Sequence, residues 1–462
     1  MKKLPQSFTW PTKIGLASAV LSLALSQSSI HGQSADALIN KLVDKGILTM
    51  EEAKTLRESS PESEQGNKTG GQRGQQDNDV NFFWKNGLNF KSADGKTFQG
   101  KLGGRVLMDA ASHSLDDDAE AALGDAPAGF EFRQVRIRTE GKLNTGIETK
   151  YKVQLDWAGG GVAFKDVYLE WADIPLIGKI RAGHYKEPLG LESMNSRRFL
   201  MFMERSSISE AFWSERNAGV SIGDSILNDR MTWTTAAFVN ADDGSGDSAV
   251  DSNGSLVARI TGVAYENSEK KQLVHLGASG SAANTKDDSI RLRSRPESHL
   301  APRFVDTGAI AADAAYTAAL EAAFVWGPFS LQGEYMHKVV DSIGMSDLDF
   351  SGYTVTAGYY LTGETRNYKK SSGAFERVIP KNNFSLTGEG LGAIQIALRY
   401  SSLDLNDSVV TGGEMDTITT GLNWHLNPNT RAMLNYIYAD VESGVGTDFA
   451  AHTVQGRLQI DF

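Results

Sequence analysis

The last ten residues of the chain, Thr453 to Phe462, alternate strictly between two kinds of side chain. One set is apolar or glycine and consists of Val454, Gly456, Leu458, Ile460 and Phe462. Successive side chains of a strand point to opposite faces, so this pattern predicts a strand with one apolar and one polar face. A soluble edge strand can end in this way, and so can the closing strand of a transmembrane β-barrel.

The same period of two recurs along most of the chain. In the segment 147–158, Lys150 and Lys152 lie on the face opposite Tyr151 and Val153. Long strands in series without helical crossovers favour a barrel over a soluble sandwich. Counting back from Phe462, the predicted strands are 97–111, 129–143, 147–158, 162–173, 178–186, 216–226, 229–241, 253–266, 271–283, 317–326, 329–341, 348–361, 391–403, 415–425, 430–441 and 450–462.

The connections between these segments alternate in length. Short turns such as 427–429 alternate with longer polar loops such as 187–215, 284–316 and 404–413, with a short three-glycine turn at 159–161 as an exception. An outer-membrane barrel has this asymmetry, with short periplasmic turns and longer external loops. The fold class is therefore predicted as an all-β membrane protein, a 16-stranded antiparallel transmembrane barrel preceded by a short helical module. A change of phase near Arg133 predicts a β-bulge.

Composition excludes several classes of function. The chain has 462 residues, no cysteine and a formal net charge of −11. Disulfides, thiolate metal sites and cysteine nucleophiles are thereby excluded. After the N-terminus, no apolar run is long enough for a transmembrane helix, but strands with one polar face escape that test.

The N-terminal part is predicted to form three segments before the barrel. Residues 1–32 have a basic start, a short apolar run and a small-residue region, which predicts a signal peptide. Its removal takes away three lysines and no acidic residue, so the mature chain is more acidic still. Residues 33–58 predict a short helical or oligomerisation module, 59–80 a flexible linker, and 81–462 the barrel.

The loop 187–215 is the strongest candidate for a functional element. Its run 199–203, FLMFM, is densely apolar, which an external loop in water has little reason to be. A loop folded back onto the inner wall of the barrel has that reason, and it narrows the pore. Basic residues surround the run: Lys186, Arg197, Arg198, Arg205 and Arg216. The alternative is that these residues form ordinary salt bridges with Glu192, Glu204, Glu210 and Glu215.

Two further basic sets carry the same chemistry. Arg133, Arg136 and Arg138 are predicted to share the lumen with Lys150 and Lys152. The guanidinium fork binds phosphate oxygens in bidentate fashion, so such a ladder suits a pore for oxyanions. Arg291, Arg293 and Arg295 have strand spacing and form the other set, with a solvated polar loop as the alternative.

Short runs in the same order connect the chain with a known family. They are RIR at 136–138, VYLEW at 167–171, GHYKEPLGLE at 183–192, RSRPE at 293–297 and LTGETRNY at 361–368. On these motifs, the chain from about 97 to 462 resembles the phosphate-selective porin O and P family. The resemblance implies a trimeric sixteen-stranded porin with an inward-folded third loop, whose arginines and lysines attract phosphate or polyphosphate.

The function predicted from these features is passive uptake of small anions of the phosphate class through an arginine-lined constriction in the bacterial outer membrane. The alternatives are a general or cation-preferring porin, which the net charge favours, and a structural protein that tethers envelope layers. No enzyme motif, catalytic residue, metal site or cofactor is predicted. Expected partners are the lipid bilayer, lipopolysaccharide, the barrel-assembly machinery through Phe462 and two further copies of the chain, but no nucleic acid.

Overall fold

A computed structural model of the chain describes residues 51, 80–144, 146–239, 254–285, 287–442, 446 and 448–462. Its contacts divide the chain into residues 1–76 and residues 77–462. All described residues except Glu51 belong to the second unit. The predicted signal peptide, helical module and linker, apart from Glu51 and Val80, therefore lie outside the described residues, and they stay predictions.

Sixteen long strands form one closed antiparallel barrel. Each pairs with the next along the chain, and the last closes onto the first, from Ala451 opposite Leu115 to Asp461 opposite Arg105. The predicted strand number and fold class are confirmed. The strands are β1 (Phe98–Leu115), β2 (Gly129–Asn144), β3 (Glu148–Asp156), β4 (Ala163–Ile174), β5 (Gly178–Lys186), β6 (Arg216–Ile226), β7 (Met231–Val239), β8 (Gly254–Asn267), β9 (Gln272–Asn284), β10 (Ile310–Trp326), β11 (Phe329–Ser342), β12 (Leu348–Tyr360), β13 (Ala393–Asp407), β14 (Val410–Asn427), β15 (Thr430–Glu442) and β16 (Phe449–Asp461).

Burial in this barrel is inverted relative to a soluble protein. The outward-facing Leu320 and Leu458 are 61% and 58% exposed, whereas the inward-facing Arg399 and Thr417 are buried. Since exposed leucine is favourable only against an apolar solvent, the outer face is built for lipid. The alternation predicted from the sequence thus separates a lipid face from a polar interior.

Two local predictions have opposite outcomes. The bulge near Arg133 is confirmed, because the pairing of β1 with β2 shifts register between Leu107 and Met108, which skips Arg133. The predicted loop 404–413 is wrong, since β13 and β14 pair as far as Asp407 opposite Val410. Beyond the membrane both faces of a hairpin meet water, so polar residues there are compatible with strands.

A hairpin that was not predicted from the sequence precedes the barrel. Its strands, Val80–Trp84 and Leu88–Ser92, pair with each other, and the second also pairs with the start of β1. The turn contains Asn86 and Gly87 at positive φ, the arrangement that an Asn-Gly dipeptide favours. The Trp84 ring stacks against the terminal Phe462 ring, with centroids 6.3 Å apart.

Three connecting segments occupy the interior or the mouths of the barrel. Loop 187–215 and the external segment 285–309 come from one end, and segment 361–392 comes from the end that holds the C-terminus. Among the described residues, no helix combines the length and apolar character needed to cross a membrane. The helices are α1 (Asp117–Leu123), α2 (Leu191–Met194) and α3 (Ser207–Phe212), with 3-10 turns at Arg197–Phe199 and Lys370–Ser372, and the short strands are Ser289–Ile290, Arg293–Ser294, Val305–Asp306, Tyr368–Lys369 and Ala374–Phe375.

An apolar core fixes one side of the interior. Ile208 and Phe212 of α3 are buried together with Val340, Phe350 and Leu403 on the inner faces of β11, β12 and β13. Helix α3 therefore packs on the wall formed by the later strands. The opposite wall, formed by the first strands, remains lined by polar residues.

Candidate functional site

Loop 187–215 folds into the barrel, as its apolar run predicted. Leu200, Met201, Phe202 and Met203 are all buried. The Phe202 ring lies against Gly421 of β14, where an added Cβ would come within 2.9 Å of it. The wall is therefore shaped to receive this aromatic side chain.

Side chains of the inner wall also donate hydrogen bonds to the buried backbone carbonyls of this run. Asn423 donates to the Met201 carbonyl at 2.8 Å, and Arg431 donates to the Leu200 carbonyl at 2.8 Å. Arg457 donates to the Met203 carbonyl at 2.6 Å. Because buried carbonyls need partners, these donors hold the loop at a fixed height in the pore.

Glu204 ties the loop to two strands on either side of the barrel seam. Its carboxylate pairs with Arg197 at 2.7 Å, Arg133 of β2 at 3.0 Å and Arg457 of β16 at 2.9 Å. Burial raises the pKa of this loop carboxyl, but the attraction of the three guanidinium groups outweighs it and holds the pKa well below its usual range. Arg457 also pairs with Asp109 of β1 at 2.6 Å.

A second buried ion cluster joins the two external segments. Arg399 of β13 donates to Glu297 at 2.8 Å and pairs with Glu192 at 3.2 Å. Ser401 donates to the other oxygen of Glu297 at 2.7 Å. The later strands thus use their arginine residues to anchor loops, and these arginines are paired with carboxylates or carbonyls.

The opposite side of the loop faces an open, basic cavity, which we call the constriction cavity. It encloses about 640 Å³, including the solvent at its mouths. Its two acidic residues are Asp166 and Glu215. Its eight basic residues are Arg105, Arg136, Lys152, Lys186, Arg197, Arg198, Arg205 and Arg216.

Six of the eight basic residues of this lining are among the predicted site residues. Arg136, Lys186, Arg197, Arg198, Arg205 and Arg216 all lie at the constriction cavity. Arg105 was missed, although the inward phase of β1, read from Asp109, would have placed it on the lumen side. The salt-bridge alternative holds in part, because Arg197 pairs with Glu204, one of the predicted partners, whereas Arg216 lies closer to Asp166, at 2.8 Å, than to Glu215, at 4.0 Å.

Three of the basic groups have no carboxylate within ion-pair distance among the described residues. Lys186 donates to the Ser193 and Asn195 carbonyls at 2.6 and 2.8 Å, and Arg205 donates to the Glu192 and Asn195 carbonyls. Arg105 is buried and makes a single long hydrogen bond, 3.4 Å, to the Ser196 hydroxyl. These groups keep a net positive charge available to a ligand.

Two further cavities continue the constriction cavity in both directions. The external one shares Arg197, Arg205 and Glu215 with it and adds Arg133 and Arg295. The opposite one shares Lys186 and Met194 and adds, among other residues, Lys179, Arg181 and Arg259. Basic side chains therefore continue along the early-strand wall, although several are paired with carboxylates that also line these cavities, such as Glu204, Glu210 and Glu170.

Other predicted site residues lie elsewhere. Arg138 is buried on β2 and pairs with Glu140 at 3.2 Å. Arg291 and Arg293 are exposed, and Arg291 pairs with Asp306 at 2.7 Å. The small sheet turns Arg291 and Arg293 toward solvent, so the alternative of a solvated polar loop holds for these two, which do not line the constriction cavity. Arg295 pairs with Glu210 at the external cavity.

Segment 361–392 lies closer to the pore than its polar sequence indicated. Two of its basic residues are withdrawn from solvent. Arg366 is buried with its guanidinium 3.6 Å from the centre of the Phe375 ring, and Arg377 pairs with Asp461. The Phe375 backbone N–H donates to the Asn195 side chain at 2.8 Å, which connects this segment to loop 187–215.

Comparison with known proteins agrees with this architecture. The family model "Phosphate-selective porin O and P" matches residues 101–462. An uncharacterized protein of Caulobacter vibrioides is 30% identical over 82% of this chain and 76% of its own length. Porin O of Pseudomonas aeruginosa is 24% identical over 79% of this chain and 88% of its own length.

Solved structures share the fold at low identity. An OmpT loop-deletion mutant of Vibrio cholerae matches with a TM-score of 0.52, 11% identity, and coverage of 79% of this chain and 100% of its own. The channel DcaP of Acinetobacter baumannii matches with a TM-score of 0.51, 13% identity, and coverage of 81% and 99%. With the family match over most of the barrel, the chain belongs to the phosphate-selective porin O and P family of the bacterial outer membrane.

Proposed function

We propose that this porin lets oxyanions of the phosphate class diffuse passively through the constriction cavity. The charge of the cavity lining supports this proposal most directly, because eight of its side chains are basic and two are acidic. Rings and ladders of arginine and lysine select anions, and the planar guanidinium offers paired donors to phosphate oxygens.

The unpaired groups are the ones that would bind the anion. A cation already neutralised by a carboxylate contributes little net attraction, whereas Arg105, Lys186 and Arg205 have no such partner among the described residues. The neighbouring cavities add Arg295 and Arg181, which pair with Glu210 and Glu170 and therefore attract an anion less strongly. A series of moderate sites of this kind permits entry and release, which conduction requires.

The cation-preferring alternative rests on the net charge of −11. Net charge reports mainly on surfaces in water, where separated charges are screened within about 10 Å. Selectivity is set where the pore is narrow, and there the lining is basic. The tethering alternative rests on residues 33–58, which, apart from Glu51, lie outside the described residues.

The experiment is single-channel recording of the purified protein in a planar bilayer. We expect a zero-current potential of anionic sign in a chloride gradient, and block of the chloride current by added phosphate. Arg105→Gln should weaken that block by about 1.5–3 kcal/mol, on the order of a tenfold or greater rise in the half-blocking concentration. Arg291→Gln removes the same charge from an exposed external pair and is the matched control.

The outcomes separate the candidate functions. Cation preference, or phosphate without effect beyond ionic strength, would overturn the oxyanion proposal and leave a general porin. An equal loss of block in both variants would show that long-range charge, rather than a site, is responsible. Absence of any conductance would favour the tethering role.

The remaining partners also belong to this proposal. Assembly as a homotrimer, contact with lipopolysaccharide and recognition by the barrel-assembly machinery through Phe462 are expected from the family and the terminal strand. Sedimentation of the detergent-solubilised protein tests the trimer directly. A monomeric mass with retained conductance would contradict it.

A further inference from the structure

The structure contains a second basic cavity, on the other side of loop 187–215. We call it the exit cavity, because the turn between β14 and β15, Asn427 to Thr430, forms part of its lining at the end that holds the C-terminus. It encloses about 400 Å³, including the solvent at its mouth. Arg198 lines both this cavity and the constriction cavity, so the part of loop 187–215 around Arg198 lies between them.

The charges of the exit cavity do not cancel. Its four arginines come from three parts of the chain: Arg198 from the loop, Arg366 and Arg377 from segment 361–392, and Arg431 from β15. Its carboxylates are Asp461 and Glu376. Asp461 is shared by Arg198, at 2.9 Å, and Arg377. Glu376 is half exposed and lies 3.6 Å from Lys369, so it neutralises the interior of the cavity poorly.

Several buried donors of this lining have no hydrogen-bond partner among the described residues. Arg431 is 3% exposed and bonds the Leu200 carbonyl through one nitrogen, which leaves its other two nitrogens unpaired. The Arg366 Nε and Gln395 Nε2 donors are also unpaired, as is the His425 Nε2 atom, which donates only when that nitrogen carries the proton. Each of these residues is at least nine-tenths buried and lines the same cavity.

Buried guanidinium donors without partners are costly, and the cost falls when an acceptor with negative charge fills the space between them. Two uncompensated positive charges match a doubly charged anion. The donors come from two parts of the chain, strands β13 to β15 and segment 361–392, and a tetrahedral oxyanion has acceptor oxygens for both. We therefore infer that the exit cavity is a second oxyanion site, reached from the periplasmic mouth and separate from the constriction.

Binding there would join three elements. Arg431 already holds loop 187–215 through the Leu200 carbonyl, and Arg366 belongs to segment 361–392, where it donates to Gln332 of β11 at 2.6 Å. An anion between them would fix the segment against the wall and the loop. Phosphate that accumulates in the periplasm would thus stiffen the lower part of the pore. This inference rests on the proposed function only for the phosphate class of the ligand.

The test is X-ray diffraction from crystals of the full-length protein soaked in arsenate, with anomalous density as the readout. Arsenate is a tetrahedral analogue of phosphate that can be located by its own scattering. We expect one peak among Arg198, Arg366 and Arg431, apart from any peak near Arg105. Arg431→Gln should abolish the first peak and leave the second unchanged.

Arg366→Gln provides a second variant in case Arg431→Gln does not assemble, and Lys370→Gln is the matched control on the same segment, since Lys370 pairs with Glu266 outside the cavity. In solution, the site variants should weaken arsenate binding at the exit cavity roughly tenfold. Density at the constriction but not at the exit cavity would overturn this inference alone. Density at the exit cavity without anion block in bilayers would overturn the proposed function alone.

Discussion

Arg105 and Arg457 show why the same residue type has two different uses in this barrel. Arg457 donates to Asp109, Glu204 and the Met203 carbonyl, so its charge is neutralised within the bonds that hold the loop. Arg105 lies on β1 near the same seam but has no carboxylate partner among the described residues. The chemistry available to a solute is therefore decided by pairing, not by the number of arginines.

Glu204→Gln tests the balance between anchoring and selectivity. The substitution removes a negative charge from beside Arg133 and Arg197, so we expect the zero-current potential to shift further toward anions. It also removes one partner from a buried ion cluster, which costs about 3–5 kcal/mol of stability. The loop should therefore be held less firmly, and the current through the pore should fluctuate more. Asp306→Asn, which removes one charge from the exposed pair with Arg291, is the control in the same bilayer recordings. A shift toward cations would contradict the assignment.

The pH dependence of this anchor follows from the depressed pKa of the Glu204 carboxyl. A group whose pKa is lowered by folding contributes stability above its unfolded value, near 4.3 for glutamate, and loses it as the pH falls through the folded value. We therefore expect open-channel noise to stay constant from about pH 8 to 5 and to rise only in more acidic solution. Noise that rises between pH 7 and 5 in the wild type, but not in Glu204→Gln, would show that the pKa of the Glu204 carboxyl is raised rather than lowered, and would contradict this prediction.

At the scale of elements, loop 187–215 behaves as part of the barrel interior. Its apolar run is buried, its carbonyls accept hydrogen bonds from strands β14 to β16, and α3 packs on the later strands. Segment 361–392 supports it from the other end through the bond between Phe375 and Asn195. The pore is consequently narrowed by two segments that enter from opposite mouths.

Phe202→Ala tests whether packing holds the constriction. Phe202 is 2% exposed, lies against Gly421 and carries the Arg399 guanidinium 4.5 Å above its ring. Truncating a buried phenylalanine costs about 3–5 kcal/mol. We expect a noisier channel with higher conductance, because the loop can leave its seat. Leu398→Ala on the lipid-facing side of β13 is the control, and an unchanged conductance in both would place the narrowest point elsewhere.

In the molecule as a whole, the barrel closes where the last residue of the chain meets the start of strand β1 and the hairpin before it. The Phe462 backbone N–H donates to Gly104 and its carbonyl accepts from the Gly104 N–H, both at 2.9 Å, while its ring stacks on Trp84. The terminal residue therefore continues the β16–β1 seam. Phe462 is 37% exposed in the closed barrel.

Phe462→Ala separates assembly in cells from folding itself. The backbone bonds to Gly104 do not need the ring, so refolding in detergent should change little, whereas the amount in the outer membrane should fall if the assembly machinery reads the aromatic end. Ile460→Ala removes apolar surface from the same face and is the control. Immunoblots of membrane fractions measure the amount in the outer membrane, and circular dichroism measures refolding in detergent. Comparing the two separates a defect in assembly from a defect in folding. Equal losses in both variants would point to simple destabilisation.

The architecture was predictable from local patterns, because side-chain alternation is a local property of a strand and each of the sixteen strands repeats it. The inward loop was predictable as well, since an apolar run such as Phe199–Met203 needs an apolar wall. Which basic residues lack a carboxylate partner depends instead on contacts between distant parts of the chain. Arg457 and Asp109 are 348 residues apart and meet solely because the barrel closes. Pairing partners, the role of segment 361–392 and the exit cavity depend on such closure, and no local pattern encodes them.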